Sequence, residues 1–148
     1  DNTRINVADP DVFKRDPANL IRFFAQAENT GTFLHPNAIR ELRKGRFRIS
    51  ATWKNFANAT GNGTFVPLGS EDSGILWFFT PGSFELMIKI VDGCSLNNRY
   101  WVFLAALTNV EFHVTVYDTW TDTPKQYDNV LGVSAAAITD TNAFMTCP

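Results

Sequence analysis

Cysteine, histidine and net charge are all scarce in this chain, and each scarcity removes a class of chemistry. Two cysteines, Cys94 and Cys147, and two histidines, His35 and His113, occur among 148 residues. The cysteines have neither zinc-knuckle spacing nor a C-x-x-C redox pair. No helical H-x-x-x-H and no Asp-x-Asp-x-Asp loop appears. A G-x-S-x-G nucleophile elbow is missing, so no Ser-His-Asp triad can be assembled from spacing. The formal net charge of −2 gives no global electrostatic case for nucleic acid. No apolar run approaches the roughly 18 residues of a membrane helix. No signal peptide is visible, and the chain opens at "DNTRINV" without Met, which points to a processed or trimmed product.

What is present is a globular composition, 45% hydrophobic and 19% charged, of single-domain length. Residues 1–33 differ in character from the rest. Ile5 and Val7 alternate weakly before Pro10. Asp16 is a good N-cap with Pro17 behind it, and Leu20, Phe23, Phe24 and Ala27 fall on one face of a short helix. "LHPNAIRELRKG" reads as a loop or one helical turn. From Arg46 the period changes to two. Phe47, Ile49, Ala51 and Trp53 alternate against Arg46, Arg48, Ser50 and Thr52. Pro67 confines "TFVPL" to a sheet edge or end. "GILWFF", "FELMIKIVD" and "RYWVFLAAL" follow, with "DGCSLNN" a loop. Then Val110, Phe112, Val114 and Val116 point inward against Glu111, His113, Thr115 and Tyr117, and "KQYDNV" is a weak further strand. The expected fold is all-β: an antiparallel immunoglobulin-like sandwich of six to eight strands over 34–148, preceded by an arm and one short helix over 1–33.

The chemical candidates are thin. Asp72-Ser73-Gly74 matches the core of an aspartic-protease motif, but that chemistry needs two such carboxylates. Gly69, Ser70 and Glu71 precede it, which reads as a turn. His113 lies on an outward strand face and His35 precedes a proline, so both read as solvated. Glu71, Asp72, Asp118 and Asp122 offer hard oxygens to Ca²⁺, against a solvated-turn reading; no other cofactor is expected. Arg43, Lys44, Arg46 and Arg48 form a basic run better suited to protecting an edge strand than to nucleic acid. Asn58 and Asn62 head two N-x-T sequons in one predicted loop, candidate glycosylation sites or a Gly/Asn turn. Cys94 and Cys147 pair as a disulfide or remain as buried thiols. Pairing would imply an oxidising compartment. Thirteen Phe, four Trp and three Tyr are the strongest signal. Trp77-Phe78-Phe79 and Tyr100-Trp101-Val102-Phe103 load both faces of their strands, and the second face needs a cover.

"GRFRISATW", "TGNGTFVPL", "DSGILWFF", "FELMIKIVDGC", "YWVFLAALTNVEFHVTVYDT" and "DTNAF" before the final "CP" together resemble a secreted bacterial β-domain family of unassigned function, over Gly45–Pro148. "KNFANAT" after Trp53 departs from its more acidic pattern, and "RELRKG" stands where members often carry a further cysteine. The arm is also similar to that of subunits of bacterial extracellular fibres, where such a segment completes a neighbour's sheet. The resemblance implies a secreted, non-enzymatic assembly module, a homo-oligomer or filament. Its arm would be Ile5, Val7, Val12 and Phe13, anchored by Phe23 and Phe24. The acceptor surface would be Trp77, Phe78, Phe79, Tyr100, Trp101 and Phe103. The alternative is a carbohydrate-binding module using Trp53, Trp77, Trp101 and Trp120, with a glycan as partner. Neither nucleic acid nor a membrane span is expected.

Overall fold

The computed structural model describes residues 37–148, and they form an all-β antiparallel sandwich. Ten strands occur among the described residues: β1 Ile39–Leu42, β2 Phe47–Lys54, β3 Thr60–Asn62, β4 Thr64–Gly69, β5 Ser73–Trp77, β6 Phe84–Gly93, β7 Arg99–Ala106, β8 Glu111–Asp118, β9 Thr123–Asn129 and β10 Ile138–Phe144. One helical turn, α1 Cys94–Asn97, joins β6 to β7. The first sheet runs β1-β2-β8-β9, with β3 also on β2; the second runs β10-β7-β6-β5-β4.

The strongest alternations became the central strands. β2 pairs with β8 along its whole length, from Phe47↔Asp118 to Lys54↔Glu111. Its opposite edge is shared by β1 and β3. Phe47, Ile49, Ala51, Phe112, Val114 and Val116 face Leu76, Leu86, Ile88, Ile90, Val102 and Leu104 of the other sheet in one buried cluster. Each large side chain so buried contributes about 1.5–3 kcal/mol. β4, which carries Pro67, is an edge strand.

Ten strands exceed the expected six to eight, and three of them were not read from the sequence. β1 is built from Arg, Glu and Leu, good helix formers, yet its pairing to β2 from Ile39↔Ser50 to Leu42↔Phe47 overrides that propensity. β3 is three residues long inside the turn-rich segment. β10 is polar, and only Phe144 of it is fully buried; a bulge between Asp140 and Phe144 breaks its register on β7.

The arm residues Ile5, Val7, Val12 and Phe13, the helix residues Phe23 and Phe24, and His35 lie outside the described residues. The acceptor surface requires correction. Phe78 and Tyr100 are 2% and 6% exposed and belong to the core, because the inward set on this segment is Gly74, Leu76 and Phe78. Phe79 is exposed and meets Trp53 edge-on at 4.8 Å. Ile75 and Trp77 point outward but are half-buried beside their cross-strand partners Met87 and Phe84. Trp101 and Phe103 stack on the same outer face, at 6.0 Å between centroids. Neighbouring side chains thus cover much of the second face themselves.

Candidate ligand-binding cleft

The richest polar constellation among the described residues sits at one end of the sandwich, where three loops meet. The β1–β2 turn holds Arg43, Lys44 and Gly45 in succession at φ 52°, 57° and 84°. Three consecutive left-handed residues reverse the chain tightly, and glycine is the one among them that adopts this conformation without steric cost. The reversal points Arg46 into the protein rather than out along β2.

Arg46 is 3% exposed and Asp118, the last residue of β8, is 0% exposed. Arg46 Nε donates to Asp118 Oδ1 at 3.0 Å and Nη2 to Oδ2 at 3.1 Å, a two-pronged pair. Nη1 donates to the Tyr100 hydroxyl at 3.2 Å, and Nη2 also donates to the Thr146 carbonyl. The guanidinium lies 4.1 Å from the Trp120 ring centroid, 4.6 Å from Tyr100 and 5.3 Å from Phe47. One cation therefore joins the β1–β2 turn, the starts of β2 and β7, the β8–β9 turn and the C-terminal segment. Burial pushes the Asp118 carboxyl up, but the hydrogen bonds and charge of Arg46 and the hydrogen bond from the Trp120 N–H hold the group below the usual range. The two turns are also locked by Thr119, whose N–H and hydroxyl both donate to the Arg46 carbonyl at 2.8 Å.

Above this floor opens a cleft of about 340 Å³ lined by Arg43, Lys44, Arg46, Glu71, Asp72, Tyr100 and Trp120. Arg43 donates to Asp72 at 2.8 Å and faces Asp92 at 3.7 Å. Trp120 is 69% exposed. One side of its indole rests on Arg46, and its N–H backbone group is fixed on Asp118 Oδ1 at 3.0 Å. Cys147, next to the Thr146 whose carbonyl Arg46 holds, is joined to Cys94 by a disulfide.

The sequence candidates fall into different places. Arg43, Lys44, Arg46, Glu71, Asp72 and Trp120 converge here, which no local pattern announced. Arg46 does not share an outward face with Arg48 as expected; Arg48 lies 4.0 Å from Glu41. Asp72 and Asp118 are occupied by arginines, and Asp122 accepts from the Tyr117 hydroxyl, so the carboxylates read as Ca²⁺ ligands answer other groups. Among the described residues no group of three or more His, Cys, Asp and Glu is placed to hold a metal ion. His113 is held between Asp128 at 2.6 Å and Glu111 at 3.2 Å, on the outer face of the first sheet. The Asp128 hydrogen bond is the largest cause that raises its pKa. The four tryptophans form no single platform: Trp53 packs on Phe79, Trp77 is on β5, Trp101 on β7 and Trp120 at the cleft. Asn58 and Asn62 lie exposed around a turn that Asn55 builds by accepting the Ala57 and Ala59 N–H groups.

The family profile described as the uridylyltransferase GlnD third domain matches residues 1–76. Bifunctional uridylyltransferase/uridylyl-removing enzymes are similar over part of the chain. The one from Nitrobacter winogradskyi is 53% identical over 51 residues, 34% of this chain and 6% of that protein. The one from Nitrobacter hamburgensis is 44% identical over 68 residues, 46% and 7%. The one from Bradyrhizobium diazoefficiens is 41% identical over 73 residues, 49% and 8%. The chain thus spans less than a tenth of these relatives' length. No solved structure matches it.

These matches overturn the functional expectations drawn from the sequence. The resemblance to an exported β-domain family and to fibre subunits gives way to the uridylyltransferase match. A secreted assembly module, a self-associating filament and a carbohydrate-binding module are all set aside, and so is the non-enzymatic reading, because the relatives are named as enzymes. Export rested on that resemblance and on cysteine pairing. The disulfide stands as structure but no longer argues for secretion, and glycosylation at Asn58 and Asn62 loses its premise.

Proposed function

This chain belongs to the uridylyltransferase GlnD third-domain family, and on that premise we propose that it is part of an enzyme that transfers uridylyl groups and removes them. The observation that carries the reading is the match over residues 1–76 together with 53% identity to a named bifunctional enzyme. Within such an enzyme the described residues supply a sandwich that carries the cleft loops at one end. Binding residues gather on loops held by a stiff scaffold because the scaffold fixes their geometry while the loops stay accessible.

A segment exchange tests this. The 51 matched residues of the Nitrobacter winogradskyi enzyme are replaced by those of this chain. The hybrid is then assayed with α-labelled UTP for uridylyl transfer to an acceptor, and for release of label from the modified acceptor. Retention of both activities is expected. A hybrid that folds with native-like circular dichroism yet has lost both overturns the proposal.

A further inference from the structure

We propose that the cleft between Lys44 and Trp120 is a binding site for a nucleoside monophosphate, with the base stacked on the exposed indole face and the phosphate at Lys44. Its volume, about 340 Å³, falls at the lower end of small-molecule sites, roughly 300–1,000 Å³. The stacking surface is already in place. Trp120 is held from beneath by the Arg46 guanidinium at 4.1 Å and through its backbone N–H by Asp118. A ring fixed in this way loses little freedom when a ligand lands on it, so more of the stacking energy reaches affinity. Every base offers a π-face, so such a platform accepts purines and pyrimidines alike.

The charges around the platform select the rest of the ligand. Arg46 is committed to Asp118, and Arg43 to Asp72 and Asp92. Lys44, exposed at the tip of the β1–β2 turn, is the remaining cation of the lining. One ammonium suits one phosphate. A longer polyphosphate chain would find no second uncommitted cation in this lining, since Arg43 and Arg46 already answer carboxylates. The site rests on these side chains and stands whether or not the enzyme reading above holds.

Isothermal titration calorimetry of the 148-residue chain with UMP, AMP, UTP, uridine and orthophosphate tests it. Saturable binding of UMP and AMP within a few-fold of each other is expected, with uridine, orthophosphate and UTP all weaker. Trp120→Ala should weaken UMP by roughly 5- to 150-fold, the range for loss of one stacked base. Trp120→Phe should keep most of the affinity. Lys44→Ala should reduce UMP to the level of uridine and remove the salt dependence. Both positions are exposed, so the variants should fold, and unchanged urea midpoints verify it. Absence of saturable UMP binding overturns the proposal. So does unchanged affinity in Trp120→Ala, orthophosphate binding as tightly as UMP, or UTP binding more tightly than UMP.

Discussion

Asp118→Asn should be among the most damaging single-atom changes in the molecule. The substitution preserves shape but removes the charge that answers Arg46, which is 3% exposed. Breaking a buried ion pair by neutralising one partner costs about 3–5 kcal/mol, because the other charge stays buried without compensation. At about 2–4 °C per kcal/mol for a domain of this size, the melting temperature should fall by roughly 6–20 °C. Replacing both partners with apolar residues of similar volume, Arg46→Met with Asp118→Leu, removes both desolvation penalties and should recover much of the loss. The hydrogen bonds to Tyr100 and the Thr146 carbonyl limit that recovery, since each loses its donor. Urea unfolding of the two single variants and the double one gives the coupling energy. A pH series adds a second readout. The Asp118 carboxyl is held below its unfolded value, so its stabilisation is fully present above about pH 4 and is lost as pH falls through the folded-state value. The acid limb of the profile should therefore be shallower in Asp118→Asn. A cost below about 1 kcal/mol, the range of exposed pairs, would refute the argument. A double variant as unstable as the two singles summed would do the same.

Three further outcomes are open to measurement. His113 has its pKa raised, first by the Asp128 hydrogen bond, so its contribution is complete below about pH 6.5 and is lost as pH rises through the folded-state value. His113→Gln should flatten the stability profile above that pH, read as urea midpoints at successive pH values. An unchanged slope counts against the His113–Asp128 contact. The Cys94–Cys147 disulfide spans a separation of 53 residues, and the loop-closure model gives it about 4 kcal/mol. Dithiothreitol should lower the urea midpoint of the native chain and leave that of the Cys94→Ser, Cys147→Ser variant unchanged. A Cβ on Gly93 would stand 2.2 Å from Trp101 Nε1. Gly93→Ala should cost about 1–3 kcal/mol by overpacking. It should also displace the indole from its 2.8 Å hydrogen bond to Asn97, visible as a shift of that N–H resonance.

What the sequence disclosed follows from which forces act locally. β2 and β8 were legible because one wet face and one buried face impose a period of two, and each of Phe47, Ile49, Ala51, Phe112, Val114 and Val116 sits where that period places it. Pro67 was legible because a residue without an N–H cannot serve a central ladder. β1 and β10 were not legible. Their residues favour helix or loop; β1 is a strand because β2 folds back on it across a tight turn, and β10 is one because β7, distant in sequence, offers a paired edge. The cleft was hidden for the same reason. Arg46 looked like the first outward residue of an alternation, and it turns inward because Asp118, 72 positions away, waits there. Nothing within ten residues of Arg46 carries that information. The opposite error occurred at Phe78 and Tyr100. Aromatic clustering marked them as a surface in need of a partner, whereas the pleat had already sent them into the core.

The cleft also draws a line through the family match. Arg43, Lys44, Arg46, Glu71 and Asp72 fall within residues 1–76. Tyr100 and Trp120, which line the cleft with them, and Asp118, which holds its floor, fall beyond it. Arg46 cannot be buried on its own account. A guanidinium taken out of water needs its counter-charge, and here that charge comes from β8, outside the matched region. A relative that shares only the matched segment therefore has reason to bury an arginine at this position only if some other element supplies a carboxylate. At the cleft floor the matched region and the β8–β9 turn are coupled through that pair and through Thr119, which donates to the Arg46 carbonyl. Residues 1–76 thus carry one half of the cleft lining and not the other. Uridylyl transfer, argued from the first half, and nucleotide stacking on Trp120, argued from the second, are consequently separate claims. A substitution at Trp120 should weaken nucleotide binding while leaving untouched residues 1–76, on which the family match rests.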